Sequence, residues 1–286
     1  MGLLVKDILK IGEKRLKEAG IADYKVDAEE LFCYSYHLER NGLFMNWAKE
    51  IDDDNCEQYF SLLDIRCSGK PLQYITGHQE FMGFDFEVNE HVLIPRQDTE
   101  NLVMEALEMI KTGGRVKKIL DLCTGSGAVA VALAKMTAAE IIASDISAEA
   151  LSVAKRNAAK NGAQVSFDCG DLFHPFQKKL RKTRFDMVVS NPPYIPSADI
   201  SGLQTEVRDY EPHLALDGGP DGLAFYKRIV REAPDFLKKN GSLLLEIGFD
   251  QADAVTEMAA LDGRYCGVRI CKDLAGLDRI AVLTLL

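Results

Sequence analysis

The run Lys118-Ile119-Leu120-Asp121-Leu122-Cys123-Thr124-Gly125-Ser126-Gly127 constrains this chain most, because a short apolar strand passes through a glycine turn straight into Ala128-Val129-Ala130-Val131-Ala132. A strand, a tight turn and an alanine-rich helix in that order begin a parallel strand–helix–strand unit. Gly125-x-Gly127-x-x-Ala130 also has the spacing of a dinucleotide fingerprint, whose glycines let a ligand approach the backbone closely. Taken alone, the same spacing serves in turns that merely pack helix on strand.

The alternation continues to the end of the chain. Strands are predicted at Ile119-Leu122, Ile141-Ser144, Val165-Asp168, Phe185-Ser190, Ser242-Ile247, Val268-Cys271 and Ile280-Leu286, and helices at Ala128-Met136, Ala148-Asn161, Leu223-Leu237 and Gln251-Leu261. That order predicts an α/β fold on a doubly wound, mostly parallel seven-stranded sheet. Lys272 to Arg279 is too short for a helical crossover, so the last strand should run antiparallel.

Upstream the periodicity changes. Tyr74-Ile75-Thr76-Gly77 and Phe81 to Val88 are aromatic and alternating, which predicts a β-hairpin or extended linker. In the following Val92-Leu93-Ile94-Pro95-Arg96-Gln97-Asp98-Thr99-Glu100, Pro95 ends the extended piece. Asp98 or Thr99 can cap a helix from Asn101 to Ile110. Arg96 on that loop could be solvated or could line a ligand pocket.

Further upstream, apolar residues recur at helical spacing in Leu4, Ile8, Ile11 and in Leu31, Tyr34, Leu38, which predicts four or five short helices. Asp23 and Asp27 are candidate caps for the second, and Asp52-Asp53-Asp54 places negative charge where a later helix starts. The expected domains are residues 1–72, helical, for partner recognition or support; 73–98, a β-hairpin linker; and 99–286, the α/β domain.

Composition removes several function classes. A net charge of −10 on 286 residues argues against broad non-specific nucleic-acid binding and suits a small-molecule or basic protein partner. No apolar stretch approaches membrane-spanning length and the start, Met1-Gly2-Leu3, lacks a signal-peptide pattern, so a cytoplasmic location is expected. The seven cysteines contain no Cys-x-x-Cys pair, so neither a disulfide framework nor a metal site is expected. Cys33 and His37 could share one helix face, as core packing rather than as half a metal site.

Three acids sharpen the glycine turn. Asp121 lies at the end of the first strand, Asp145 ends the next and Asp171 follows the third, all at the edge where open parallel sheets bind ligands. Asp121 could reach an ammonium group, Asp145 could accept from ribose hydroxyls and Asp171 could meet an adenine amino group. A ligand with those three parts is S-adenosylmethionine. Its expected surroundings are Asp121, Cys123, Thr124, Gly125, Ser126, Gly127, Asp145, Asp171, Leu172 and Asn191.

The strand Phe185-Ser190 ends in Asn191-Pro192-Pro193-Tyr194, where two prolines close the ladder and hold the chain extended. This tetrapeptide suits alkylation of a planar, unreactive NH2 group. The Asn191 side-chain carbonyl and the Pro192 backbone carbonyl can each accept one N–H, the two rings stiffen the loop, and Tyr194 offers an aromatic face. A carboxamide and an exocyclic base amine both meet that description.

The glycine turn with its three strand-end acids resembles the class I methyltransferases, and Asn191-Pro192-Pro193-Tyr194, Ile94-Pro95-Arg96-x-x-Thr99-Glu100, Asp121-x-x-Thr124-Gly125-x-Gly127 and Leu216-Asp217-Gly218-Gly219-Pro220-Asp221-Gly222-Leu223 together carry a narrower resemblance. Within that class the chain is similar over its whole length to the PrmC/HemK family, the N5-glutamine methyltransferases of bacterial peptide-chain release factors. The resemblance implies a Rossmann-like fold with a small helical amino-terminal domain. It also implies methyl transfer from S-adenosylmethionine to the side-chain amide nitrogen of the glutamine in a release factor's Gly-Gly-Gln motif. Asn191, Pro192, Pro193 and Tyr194 would be catalytic and substrate-binding, with Arg96 a further candidate for the substrate site. The helical part would help hold the release factor, and a monomer without nucleic acid is expected. One departure is Cys123, where related sequences often carry glycine. The rival readings are a DNA or RNA amino-methyltransferase, which would flip its base into such a pocket, and a cofactor-binding regulator that no longer catalyses. Acidic charge opposes the first, and the intact Asn191 and glycine turn oppose the second.

Overall fold

A computed structural model describes residues 4–51, 53–113, 116–179 and 184–286; Met1 to Leu3 and Asp52, used above, lie outside them. The chain forms two units, Met1–Gly77 with Gln204–Tyr210, and His78–Leu203 with Glu211–Leu286. The helical part therefore ends later than residue 72 and includes a distant segment that no local pattern announced. The hairpin falls in the second unit.

In the first unit α1 (Val5–Glu18), α2 (Tyr24–Ser35), α3 (Arg40–Met45), α4 (Asp53–Cys67) and α5 (Leu72–Thr76) follow one another. Ile8, Leu16, Leu31, Phe32, Tyr59 and Leu63 form its core. Ile11 and Tyr34, read as part of the buried stripes, are more than a third exposed. In α1 the stripe runs instead through Leu9 and Gly12, where any side chain would strike the Tyr59 ring. Asp23 holds the cap position of α2 without a side-chain cap bond, and Asp27 lies inside that helix. Asp27 instead accepts from Arg66 Nε at 2.7 Å, and Arg66 reaches Glu206, in the distant segment, at 3.0 Å. Because α2 stops at Ser35, His37 does not share a helical face with Cys33. Tyr74-Ile75-Thr76 is helical rather than extended: Pro71 sets the entry and left-handed Gly77 the exit, a bracket that favours a helical turn.

The second unit opens with a hairpin, β1 (His78–Phe81) and β2 (Phe84–Glu87), turned by Met82 and Gly83 at φ 53° and 76°. Two left-handed residues match the right-handed twist of paired strands. α6 (Gln97–Gly113) starts before Asn101, so Asp98 and Thr99 occupy its first turn. Then come β3 (Lys118–Leu122), α7 (Ala128–Met136), β4 (Glu140–Asp145), α8 (Ala148–Lys160), β5 (Val165–Cys169) and β6 (Phe185–Ser190). After α9 (Thr205–Tyr210), which belongs to the helical unit, come α10 (Ala224–Phe236), β7 (Leu237–Glu246), α11 (Ala252–Asp262), β8 (Tyr265–Lys272) and β9 (Asp278–Leu285). β7 begins earlier than the apolar run because Leu237 already pairs with Phe185, across an irregularity that precedes the Met187–Ser242 pair.

The seven strands lie in the order β5-β4-β3-β6-β7-β9-β8. The pairings β4–β5, β3–β4, β3–β6 and β6–β7 are parallel, while β9 is antiparallel to both neighbours, as the short last loop requires. Alternate residues feed two layers: Ile119, Met187, Val189 and Leu244 one, and Leu120, Leu122, Val188 and Leu245 the other. A sheet covered on both faces needs such strands, apolar at successive positions. From β3 the chain builds outward through β4 and β5, then crosses to place β6 on the other side. The carboxyl ends of β3 and β6 thus flank the topological switch point, where crevices open in sheets of this kind. Leu122 pairs with Ser190, whose hydroxyl donates to the Leu122 carbonyl at 2.8 Å, so the glycine turn and the Asn-Pro-Pro-Tyr segment leave the sheet side by side.

Candidate active site

A cavity of about 550 Å³ lies at this switch point. Of the residues expected around a ligand, Cys123, Gly125, Asp145, Asp171, Leu172, Asn191 and Pro193 line it. Asp121, Thr124, Ser126, Gly127, Pro192, Tyr194 and Arg96 do not.

The three acids have different fates. Asp121, 1% exposed, sits beneath the turn and accepts from the Thr124 hydroxyl at 2.6 Å. Burial pushes its carboxyl up to about 7. It shapes the turn from below, its carboxylate buried under the Thr124 hydroxyl and off the cavity wall. Asp145 does line the cavity. Its two oxygens accept from Gly125 N–H and Ser147 N–H, each at 2.9 Å, and each keeps a lone pair for a further donor. Burial raises its pKa and these N–H groups oppose the shift. Asp171 gives one oxygen to Arg228 at 2.7 Å, and both side chains line the cavity. Sequence reasoning missed Ser144, a buried residue lining the same wall whose hydroxyl has no partner within the described residues.

Two non-glycine residues of the cavity wall are left-handed, Cys123 at φ 57° and Leu172 at φ 46°. Such a conformation costs a residue with a Cβ roughly 1–2 kcal/mol, and strain of this sort gathers at ligand sites. It also explains why glycine suits the position that Cys123 holds. The thiol is inert as an acid, since burial and the charges of Asp145 and Asp121 push its pKa far up.

Around Asn191-Pro192-Pro193-Tyr194 the scattered motifs meet. The Ile195 N–H donates to the Leu216 carbonyl at 3.1 Å and the Gly218 N–H to the Ile195 carbonyl at 2.8 Å. A Cβ on Gly218 would lie 2.8 Å from the Tyr194 backbone and one on Gly222 only 2.5 Å from the Tyr194 carbonyl oxygen. The glycine-rich loop is therefore glycine-rich because it presses backbone to backbone against the motif. Gln251 Nε2 donates to the Tyr194 carbonyl at 3.0 Å from the other side.

The Ile-Pro-Arg-x-x-Thr-Glu segment supplies three further ties. Arg96 pairs with the buried Glu211 at 2.5 Å, so its guanidinium braces the chain that leads into the glycine loop rather than lining the cavity. Glu100 accepts from the Met82 N–H at 2.7 Å and fixes the hairpin turn. Thr99, expected only as a helix cap, accepts from Asn191 Nδ2 at 3.0 Å. With that nitrogen committed, the Asn191 carbonyl oxygen is the end left for a ligand. Tyr194, expected to show its ring to a ligand, packs against the core, and its hydroxyl donates to Glu246 Oε1 at 3.3 Å. Glu246 was not singled out, although an acid closing the run Leu243-Leu244-Leu245 is the signal that could have found it.

Comparison with known proteins agrees with this architecture. Residues 7–77 match the PrmC N-terminal domain family and residues 114–267 the Methyltransferase domain family. The release factor glutamine methyltransferase of Geobacter sulfurreducens is 42% identical over 277 residues, covering 96% of this chain and 95% of that protein. That of Moorella thermoacetica is 43% identical over 269 residues, covering 93% of each. Among solved structures, a methyltransferase from Pyrococcus furiosus superposes with a TM-score of 0.51 at 18% identity, over 72% of this chain and 90% of that one. The 16S rRNA N2 G1207 methyltransferase of T. Thermophilus, in complex with AdoMet and guanosine, gives 0.51 at 16% identity, over 73% of this chain and 50% of its own. These structural likenesses concern the fold, which is the class I methyltransferase fold.

Proposed function

The chain belongs to the release factor glutamine methyltransferases, and from that premise we propose that it methylates the side-chain amide nitrogen of the glutamine in a release factor's Gly-Gly-Gln motif, with S-adenosylmethionine as donor. The observation that carries the reading is Asn191. Its nitrogen is held by Thr99 and its side chain lines the cavity, so an acceptor oxygen faces the ligand space at the sheet edge.

The wall residues fit the donor. Asp145 keeps lone pairs for ribose hydroxyls, Ser144 has an unpartnered hydroxyl, and Asp171 has one carboxylate oxygen outside its Arg228 pair, available to an adenine amino group. Cys123, Gly125 and Leu172 complete that wall with backbone and apolar surface. Bound there, S-adenosylmethionine would supply a methyl group on a positively charged sulfur and leave as S-adenosylhomocysteine. The proton that the methylated nitrogen sheds would pass through an accepting carbonyl to water.

The protein's contribution is orientation. An amide nitrogen has its lone pair drawn into the carbonyl and attacks poorly unless it is held. Asn191 Oδ1 and the Pro192 carbonyl take the two N–H groups of the substrate glutamine and turn the nitrogen toward the methyl group. Pro193 walls the site, and Tyr194 anchors the loop. Fixed dipoles that meet positive charge growing on nitrogen, together with orientation, account for the rate. The helical unit serves recognition of the protein substrate. Such a substrate, met during translation termination, places the protein in the cytoplasm, and a monomer suffices for the reaction.

The test is to incubate the protein with labelled S-adenosylmethionine and, separately, release factor, DNA and RNA. Label on the release-factor glutamine, located by mass spectrometry, is expected. Label on a nucleic acid instead would replace this reading with the amino-methylation of bases.

A further inference from the structure

Glu246 ends β7 one strand away from the Asn-Pro-Pro-Tyr segment, and it is 1% exposed. Oε1 accepts from the Tyr194 hydroxyl at 3.3 Å, whereas Oε2 has no hydrogen-bond partner among the described residues. The Thr99 hydroxyl bears on the same carboxylate and favours its charged form. Thr99 in turn accepts from Asn191 Nδ2 at 3.0 Å. Tyr194, the last residue of the tetrapeptide, thus meets this buried acid directly, while Asn191, the first, meets Thr99, whose hydroxyl acts on the charge of the same acid.

The directions of these bonds are linked. A hydroxyl that accepts from an amide N–H must still place its own proton, and an ionised carboxylate can only accept. We propose that Glu246 is a positioning residue for methyl transfer: Oε1 takes the hydroxyl proton of Tyr194, and the open Oε2 is the acceptor to which Thr99 turns its own hydroxyl proton, which keeps the Thr99 oxygen as acceptor for Asn191 Nδ2 and turns Asn191 Oδ1 to the substrate. The inference rests on the role given to Asn191 above.

Protonation reverses the chain. A neutral Glu246 carboxyl has a proton to donate; if Thr99 accepts it, the Thr99 proton turns to Asn191, whose amide then rotates. The Asn191 NH2 would face the substrate NH2, two donors with no acceptor between them. Burial holds the Glu246 carboxyl up to about 7, so this change falls in an accessible range. Arg279 on β9 faces it and favours the charge, while Asp98 on α6 opposes it. The phenols of Tyr194 and Tyr226, the latter donating to the Glu246 backbone carbonyl at 3.1 Å, are pushed far above their usual values by burial and stay protonated.

Single-turnover transfer to release factor, at saturating S-adenosylmethionine, is followed from about pH 6 to about pH 8.5. The wild type is expected to gain rate with a midpoint near 7. Glu246→Gln, which offers one acceptor in place of two, is expected to be slower by about 10²-fold at the upper end and flat with pH, as misplacement of a reacting group predicts. Calorimetry should find its S-adenosylmethionine affinity unchanged. Thr99→Val, which cuts the link without touching the acid, should also be slow and flat, and it decides the matter if Glu246→Gln fails to fold. A Glu246→Gln or Thr99→Val protein with the wild-type rate and pH limb overturns the role of Glu246 alone. A wild type that leaves the glutamine unlabelled at every pH overturns both this role and the function on which it rests.

Discussion

Asn191 and Thr99, 92 residues apart in the chain, meet side chain to side chain at 3.0 Å, Nδ2 donating to Oγ1. The bond gives an amide, whose two ends are nearly equal in size, a defined direction. It also explains why the Ile-Pro-Arg-x-x-Thr-Glu segment ahead of the sheet accompanies Asn-Pro-Pro-Tyr at the end of β6.

Removing the acceptor should be costly for chemistry and mild for binding. Asn191→Ala is expected to slow single-turnover transfer by about 10²-fold, the scale of misplacing a reacting group. S-adenosylmethionine affinity, measured by calorimetry, should change far less, because Asp145, Asp171 and the glycine turn are untouched. Near-normal transfer would remove Asn191 from the mechanism.

Asp145→Ala should weaken S-adenosylmethionine binding by about 1.5–3 kcal/mol, since it deletes a charged acceptor and leaves the Gly125 and Ser147 N–H groups unpaired. Isothermal titration reads this directly. Unchanged affinity would mean that the ribose lies elsewhere.

Cys123 invites a stability experiment. Cys123→Gly removes the left-handed penalty at φ 57° but loosens the unfolded chain, for a net gain of about 1 kcal/mol or less. Cys123→Val, β-branched in the same conformation, should lose about 1–3 kcal/mol. Denaturant midpoints of the pair should fall on opposite sides of the wild type.

In the helical unit Arg66 and Asp27 are both buried, and Arg66 also holds Glu206. Arg66→Ala leaves the Asp27 carboxylate buried without its cation, at a cost of about 3–5 kcal/mol. Limited proteolysis should then cut first within Gln204–Tyr210 or residues 4–77. A variant as resistant as the wild type would show that this ion pair adds little.

The buried acids set a pH dependence of folding. Burial raises Asp121 and Glu246 from the ordinary carboxylate range to about 7. Between about pH 4 and 7 the folded protein therefore holds protons that the unfolded chain has released. Their contribution to stability is fully present below the unfolded pKa and is lost as pH rises through the folded value. Urea midpoints should fall from about pH 5 to about pH 8. A rise over that interval would show that other groups dominate.

Much was written locally. The limits of β6 and α7, the doubly wound order and the antiparallel last strand follow from short apolar runs, glycine turns and loop length, which act over a few residues. The residue types of the site were equally legible: Asn191, Asp145, Asp171 and Cys123 stand at strand ends, and a parallel sheet gathers those ends at one edge. What periodicity could not settle was the direction and partner of each polar group. Asp121 and Cys123 lie only two residues apart, yet one supports the turn from beneath while the other lines the cavity. Tyr194 faces the core rather than the ligand space because Glu246 waits there, at the end of another strand. Arg96 is taken up by Glu211, and Gln204–Tyr210 joins helices that lie far away in sequence. Hydrogen bonds and ion pairs are made between whichever groups folding brings within about 3 Å, and that is a property of distant segments together, not of any one of them.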